Sequence, residues 1–198
     1  MKNPFVTIVA LSIAILPLSA CGGGGGGGSA APPATASKVV ISAYLFGTMS
    51  SSTATVTTVQ ASMKVPSGVY AMYSSPAPAG YPANTFPLRS NAMVTSGVLA
   101  NTAASISGTY NTQTGIVSLY LLNNLGANNS IATLRSSSTG SGTEFATLYF
   151  TLASPGTTVS FNPSDQSLTY NVQQTDLATQ TSGVTAKGCQ LKFSTTYQ

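Results

Sequence analysis

From residue 38 onward, apolar and polar side chains alternate along much of the chain. In "KVVISAYLF" (38–46), Val39, Ile41, Ala43 and Leu45 share one phase. In "VQASMKV" (59–65), Val59, Ala61, Met63 and Val65 alternate with Gln60, Ser62 and Lys64. In "EFATLYFTL" (144–152), Ala146, Leu148, Phe150 and Leu152 alternate with Phe145, Thr147, Tyr149 and Thr151. A period of two puts successive side chains on opposite faces, the mark of a strand with one buried face. No stretch carries a period near 3.6, and no internal repeat is present.

Turn chemistry separates these segments. Pro66-Ser67-Gly68 closes the second one. "SISGTYNTQTGIVSLYLL" (105–122) predicts a hairpin with its loop at Asn111–Gly115, the glycine supplying a left-handed residue. "SLTYNVQ" and "GCQLKFS" add two further strands. The set predicts an all-β sandwich of about nine strands over residues 38–198, a length that supports one domain with a real core. Cys189 shares its phase with Leu191 and Phe193 and is expected inside, as a small buried hydrophobe.

One stretch breaks the pattern. "GVYAMYSSPAPAGYPANTFPLRS" (68–90) has prolines at 76, 78, 82 and 87, which disfavour central strands. It reads as a long surface loop, and such loops are often functional. Its Tyr70, Tyr73, Tyr81, Phe86 and Arg89 form the candidate ligand-binding set, by stacking on sugar rings or meeting a partner. The same rings could instead cover one end of the sandwich.

Composition narrows the chemistry. Charged residues make up 5% of the 198, and histidine and tryptophan are absent. Histidine is the commonest general base and metal ligand. The three carboxylates, Glu144, Asp165 and Asp176, show no spacing suited to paired acid–base work or to a calcium cage. We therefore expect no catalytic residues, no metal site and no cofactor. The net charge of +4 comes from scattered Lys and Arg, without the cluster that phosphate neutralisation requires, so no nucleic-acid partner is expected.

The N-terminus carries targeting information. Lys2 precedes an apolar run from Phe5 to Leu18, too short to span a bilayer. Leu18-Ser19-Ala20-Cys21 resembles the lipobox of bacterial lipoproteins. The resemblance implies a signal peptide over residues 1–20 and a diacylglycerol on the Cys21 thiol. The membrane is then a partner through the acyl chains, since two or three chains hold where one binds only reversibly. Gly22 after the cysteine points to the outer membrane of the cell envelope. Seven glycines and an Ala/Pro/Ser/Thr stretch follow, so residues 21–37 read as the lipidated cysteine and a tether. Residues 22–37, as a flexible coil, span roughly 20–24 Å. With Cys21 lipidated, Cys189 has no disulfide partner in the chain.

Several pieces in order resemble bacterial cohesin-like domains, which share a superfamily with carbohydrate-binding modules. They are "ASMKVPSGV", "VTSGVLA", "ISGTYNTQTGIVSLYLLNN" and "GTEFATLYFTLASPGTTVSF", spanning about residues 57–174. The resemblance implies a nine-stranded jelly roll that is extracytoplasmic and non-catalytic. It further implies that the domain binds a dockerin-like protein module or a polysaccharide. The alternative expectation is a structural or adhesive surface protein that assembles through its polar sheet faces, which carry little charge to oppose association.

Overall fold

The structure, a computed structural model, describes residues 35–49, 51–123, 131–159, 166–179 and 181–198. The lipobox-like segment with Cys21, and all but the last three residues of the tether, lie outside the described residues. Eleven strands are present among those described: β1 (Lys38–Gly47), β2 (Ala54–Lys64), β3 (Val69–Ala71), β4 (Thr85–Pro87), β5 (Met93–Thr95) and β6 (Ser105–Asn111). Then follow β7 (Ile116–Leu122), β8 (Thr143–Leu152), β9 (Gln166–Asp176), β10 (Thr181–Thr185) and β11 (Cys189–Tyr197). A single 3-10 turn, Gly97–Leu99, is the helical element among the described residues.

The strands form two antiparallel sheets. One has the order β11-β1-β8-β3, with β5 also pairing β8; the other runs β10-β9-β2-β7-β6-β4. β3 and β5 share one edge of β8, β3 along Leu152–Phe150 and β5 along Leu148–Ala146. The all-β sandwich expected from alternation is what the chain adopts. The count is eleven, not nine; the strands that no quoted alternation marks are β3, β4 and β5, three-residue pieces at the sheet margins, and the irregular edge strand β10. Three residues are too few for an alternation to register.

The inward phases meet as one core. Val39, Ile41, Ala43 and Leu45 of β1 are inaccessible to solvent, and Val59, Ala61 and Met63 of β2 are buried beside Val117, Leu119 and Leu121 of β7. Cys189 and Leu191 are buried, with Phe193 packed against the same core. The hairpin closes as expected: Gly115 has φ +70°, and the Asn111 Oδ1 accepts from the amides of Gln113 and Thr114.

Phe145 departs from its predicted phase. Alternation puts it with Thr147 and Tyr149 on the outer face, yet it is fully buried in the core. The cause is a bulge: Ala43 pairs Ala146 but Tyr44 pairs Glu144, so Phe145 is an extra residue opposite no partner. A bulge resets the alternation on one side of itself.

Residues 68–90 are likewise more ordered than a surface loop. Val69–Ala71 joins the five-stranded sheet, Thr85–Pro87 joins the six-stranded one, and Tyr73 bridges to Leu88. The prolines agree with this placement. Pro87 sits in the outermost named strand of its sheet, and proline is tolerated at sheet edges. The described chain also begins where it ends, the Gln198 carbonyl accepting from the amides of Ser37 (2.8 Å) and Lys38 (2.9 Å).

Candidate binding groove

The six-stranded sheet turns its polar phase outward, and there it carries a groove of about 740 Å³. The register builds the floor in two rows. Asn171, Gln60, Tyr120 and Ser107 lie side by side across β9, β2, β7 and β6. Ser62, Ser118, Thr109 and Pro87 form the next row across β2, β7, β6 and β4. Strands lie about 4.8 Å apart, so the four steps from β9 to β4 give a trough about 19 Å across.

Tyrosine rings line this trough. Tyr120 rises from the floor at 39% exposure, and Tyr81, at 40%, also lines it. Tyr170 borders the trough from β9, but it pairs buried Ala61 and shares its phase with buried Val172, so its side chain leaves the sheet on the face opposite Tyr120. Rings this open on a monomeric surface offer apolar faces to a ligand while their hydroxyls stay in water. Between them stand neutral donors and acceptors, the amides of Gln60 and Asn171 among them.

Arg89 lines the groove from the segment after β4. Its backbone amide donates to the Met72 carbonyl at 3.0 Å, and its Nε donates to the Tyr73 carbonyl at 3.0 Å. The guanidinium is thus held by one edge. Arg135 has a different fate. Its guanidinium donates to the carbonyls of Ser51, Ser52 and Ala54 and fastens the loop before β2.

The five residues singled out in sequence separate in space. Tyr81 and Arg89 come together at the groove. Tyr73 and Phe86 go into packing, the Tyr73 ring lying 5.0 Å from that of Phe86 and 5.6 Å from that of Tyr110. Burial, and then the nearby Tyr73, push the Tyr110 hydroxyl above its ordinary value. Tyr70 projects from β3 of the other sheet at 60% exposure. Sequence reasoning missed Tyr120, Gln60 and Asn171, which come from regular strands. Tyr120 had a readable signal: it is a large ring in the polar phase of β7, between buried Leu119 and Leu121.

Among the described residues no carboxylate lines the groove. Glu144 accepts from Ser96 Oγ at 2.6 Å on the other sheet. Asp176 accepts from Ser51 Oγ at 2.6 Å and Thr53 Oγ1 at 2.8 Å at the far end of β9. Among the described residues no three His, Cys, Asp or Glu side chains gather as a metal site, and no helix is long and apolar enough to cross a membrane. The Cys189 thiol is buried, which pushes its pKa up. In comparisons with known protein families, curated proteins and solved structures, nothing matches this chain.

Proposed function

We propose that this protein is a lipid-anchored envelope protein whose β-sandwich binds a polysaccharide without catalysis. The carrying observation is the groove: a concave sheet face with two open tyrosine rings, Tyr120 and Tyr81, set among amide and hydroxyl groups. Sugars present flat apolar faces and a rim of hydroxyls, so ring stacking plus neutral hydrogen bonds is the matching chemistry. A trough with separated rings suits a chain polymer better than the continuous apolar centre that a dockerin-like protein module would bury. The lipobox-like Leu18–Cys21 supplies the anchor, and residues 22–37 give the domain slack to turn its groove toward a polymer.

Lateral self-assembly has less support. β10, the outer strand of the six-stranded sheet, has a register shift between Thr181 and Val184 and a left-handed Gly183, which spoil its edge for further pairing.

The test is retention of the full chain, purified in detergent, on a panel of immobilised envelope and plant polysaccharides. At least one polymer should retain the wild type, and Tyr120→Ala should weaken that retention by roughly two- to thirteenfold, the loss of about 0.5–1.5 kcal/mol of stacking. Retention unchanged by Tyr120→Ala and by Tyr81→Ala would remove the groove from the reading. The anchor is tested separately. Cells fed a fatty-acid analogue should label the wild type and not Cys21→Ala.

A further inference from the structure

We infer that the polymer this groove takes is acidic: a polyuronate, with a ring carboxylate seated on the Arg89 guanidinium. This rests on the polysaccharide reading and names the class of sugar.

Three observations carry it. First, among the described residues the groove has a cation and no anion. Arg89 lines it, and the two carboxylates among the described residues are both committed elsewhere, Glu144 to Ser96 and Asp176 to Ser51 and Thr53. Lys64 adds a second exposed cation, two positions beyond Ser62 on the same face of β2. A neutral sugar would leave this charge uncompensated in a chain of which 5% is charged.

Second, Arg89 is preorganised. Its backbone amide and its Nε are both held by carbonyls of the Met72–Tyr73 segment. One edge of the guanidinium is fixed, and the two Nη groups carry no protein partner among the described residues. A planar fork held in place loses little freedom on binding and matches a carboxylate with two parallel hydrogen bonds. Arg135, whose guanidinium is taken up by three carbonyls, shows what a purely structural arginine looks like in this fold.

Third, the size of the site fits a polymer and not a lone anion. The trough crosses five strands and holds about 740 Å³, with Tyr120 and Tyr81 lining it together with Arg89. A free phosphate or carboxylate would fill a small part of it and leave those rings exposed.

The experiment compares polygalacturonate with its fully methyl-esterified form, in affinity electrophoresis of the full chain in detergent. The ester keeps the backbone and removes the charge, so the key comparison needs no mutation. The wild type should bind polygalacturonate at least tenfold more tightly than the ester, as expected for loss of a charge-assisted pair. Arg89→Gln should bind both forms alike, with Arg89→Lys between the two. Equal wild-type binding to both forms, with no effect of Arg89→Gln, would overturn the acidic assignment and leave the polysaccharide reading standing. A preference for polygalacturonate that survives Arg89→Gln would assign it to overall positive charge and also overturn the proposal. Binding to neither form would overturn it as well, and retention on neutral polymers in the wider panel then decides the broader reading. Thermal melting of each variant checks its fold; should Arg89→Gln fail to fold, Arg89→Lys decides in its place, a reduced preference for polygalacturonate over the ester supporting the proposal and an undiminished one overturning it.

Discussion

Gly108 of β6 lies against Met93 of β5, so the two sheets touch where one of them has no side chain. A β-carbon on Gly108 would stand 2.7 Å from Met93 Cε and 2.6 Å from the Ser118 carbonyl oxygen. The methionine is flexible and can turn away. The carbonyl belongs to β7, which pairs β6 along its whole length, and cannot move without opening the ladder. Gly108→Ala should therefore destabilise the domain by about 1–3 kcal/mol, as overpacked sites do. Denaturant unfolding checks this as a lower midpoint with an unchanged slope. A midpoint equal to the wild type would mean that β6 and β7 separate locally at little cost.

The tyrosines of residues 68–90 should divide by role. Tyr73 stacks on Phe86 and Tyr110 and offers its carbonyl to Arg89. Removing its half-buried ring should cost roughly 1–3 kcal/mol, less than the 3–5 kcal/mol of a fully buried aromatic. Tyr70, open to solvent on the opposite sheet, should change stability by less than about 0.5 kcal/mol as alanine and leave glycan retention untouched. Thermal melts and polysaccharide retention on both variants decide it. A loss of retention in Tyr70→Ala would relocate the binding face to the five-stranded sheet.

Legibility in sequence followed the length and regularity of each element. β1, β2 and β7 could be read because seven or more residues alternate against one buried face, and the hairpin because Asn111 and Gly115 carry its turn chemistry. β3, β4 and β5 could not, because their existence depends on β8 and β6 offering edges, a long-range fact absent from three residues. Phe145 was misplaced for a related reason: the bulge is a property of the pair β1–β8, and β8 alone shows unbroken alternation. The groove was half legible. Tyr81 and Arg89 stood out in an unusual segment, while Gln60, Tyr120 and Asn171 become neighbours only through the register of three strands. Where a ring points can be read from phase, but which rings share a face of the folded sheet cannot.

Acid should loosen the β2–β9 end of the sandwich through Asp176. Its carboxylate accepts from Ser51 Oγ and Thr53 Oγ1, and then from the amides of Ala178 and Thr179, which lowers its pKa from 3.8 to about 2. A carboxyl that is more acidic folded than unfolded contributes stability in its ionised form. That contribution is complete above about pH 5, where the unfolded carboxyl is also ionised, and is lost as pH falls through 3.8 toward 2. Denaturation midpoints of wild type and Asp176→Asn should thus differ at pH 6 and converge near pH 2. Parallel profiles across that range would show that these hydrogen bonds do not favour the ionised form. Glu144, present in both proteins, cancels in the comparison.

The two cysteines allow one measurement to report on the core and on the anchor. Cys189 is 4% exposed, opposite Gly47 at the start of β11, and burial raises its thiol pKa. Alkylation needs the thiolate in contact with reagent, so a buried thiol of raised pKa reacts only when the fold opens. Cys21, on the proposed lipidation, has no thiol left to react. The full chain in detergent at pH 8 should therefore take up no iodoacetamide while folded and one equivalent when unfolded in guanidinium, all of it on Cys189 by mass spectrometry. Rapid labelling of Cys189 in the folded protein would mean that β11 detaches from β1 easily and that its inward face is not a stable part of the core. A second equivalent on Cys21 in the unfolded protein would show an unmodified thiol there and end the lipid-anchor reading, whatever the groove proves to bind.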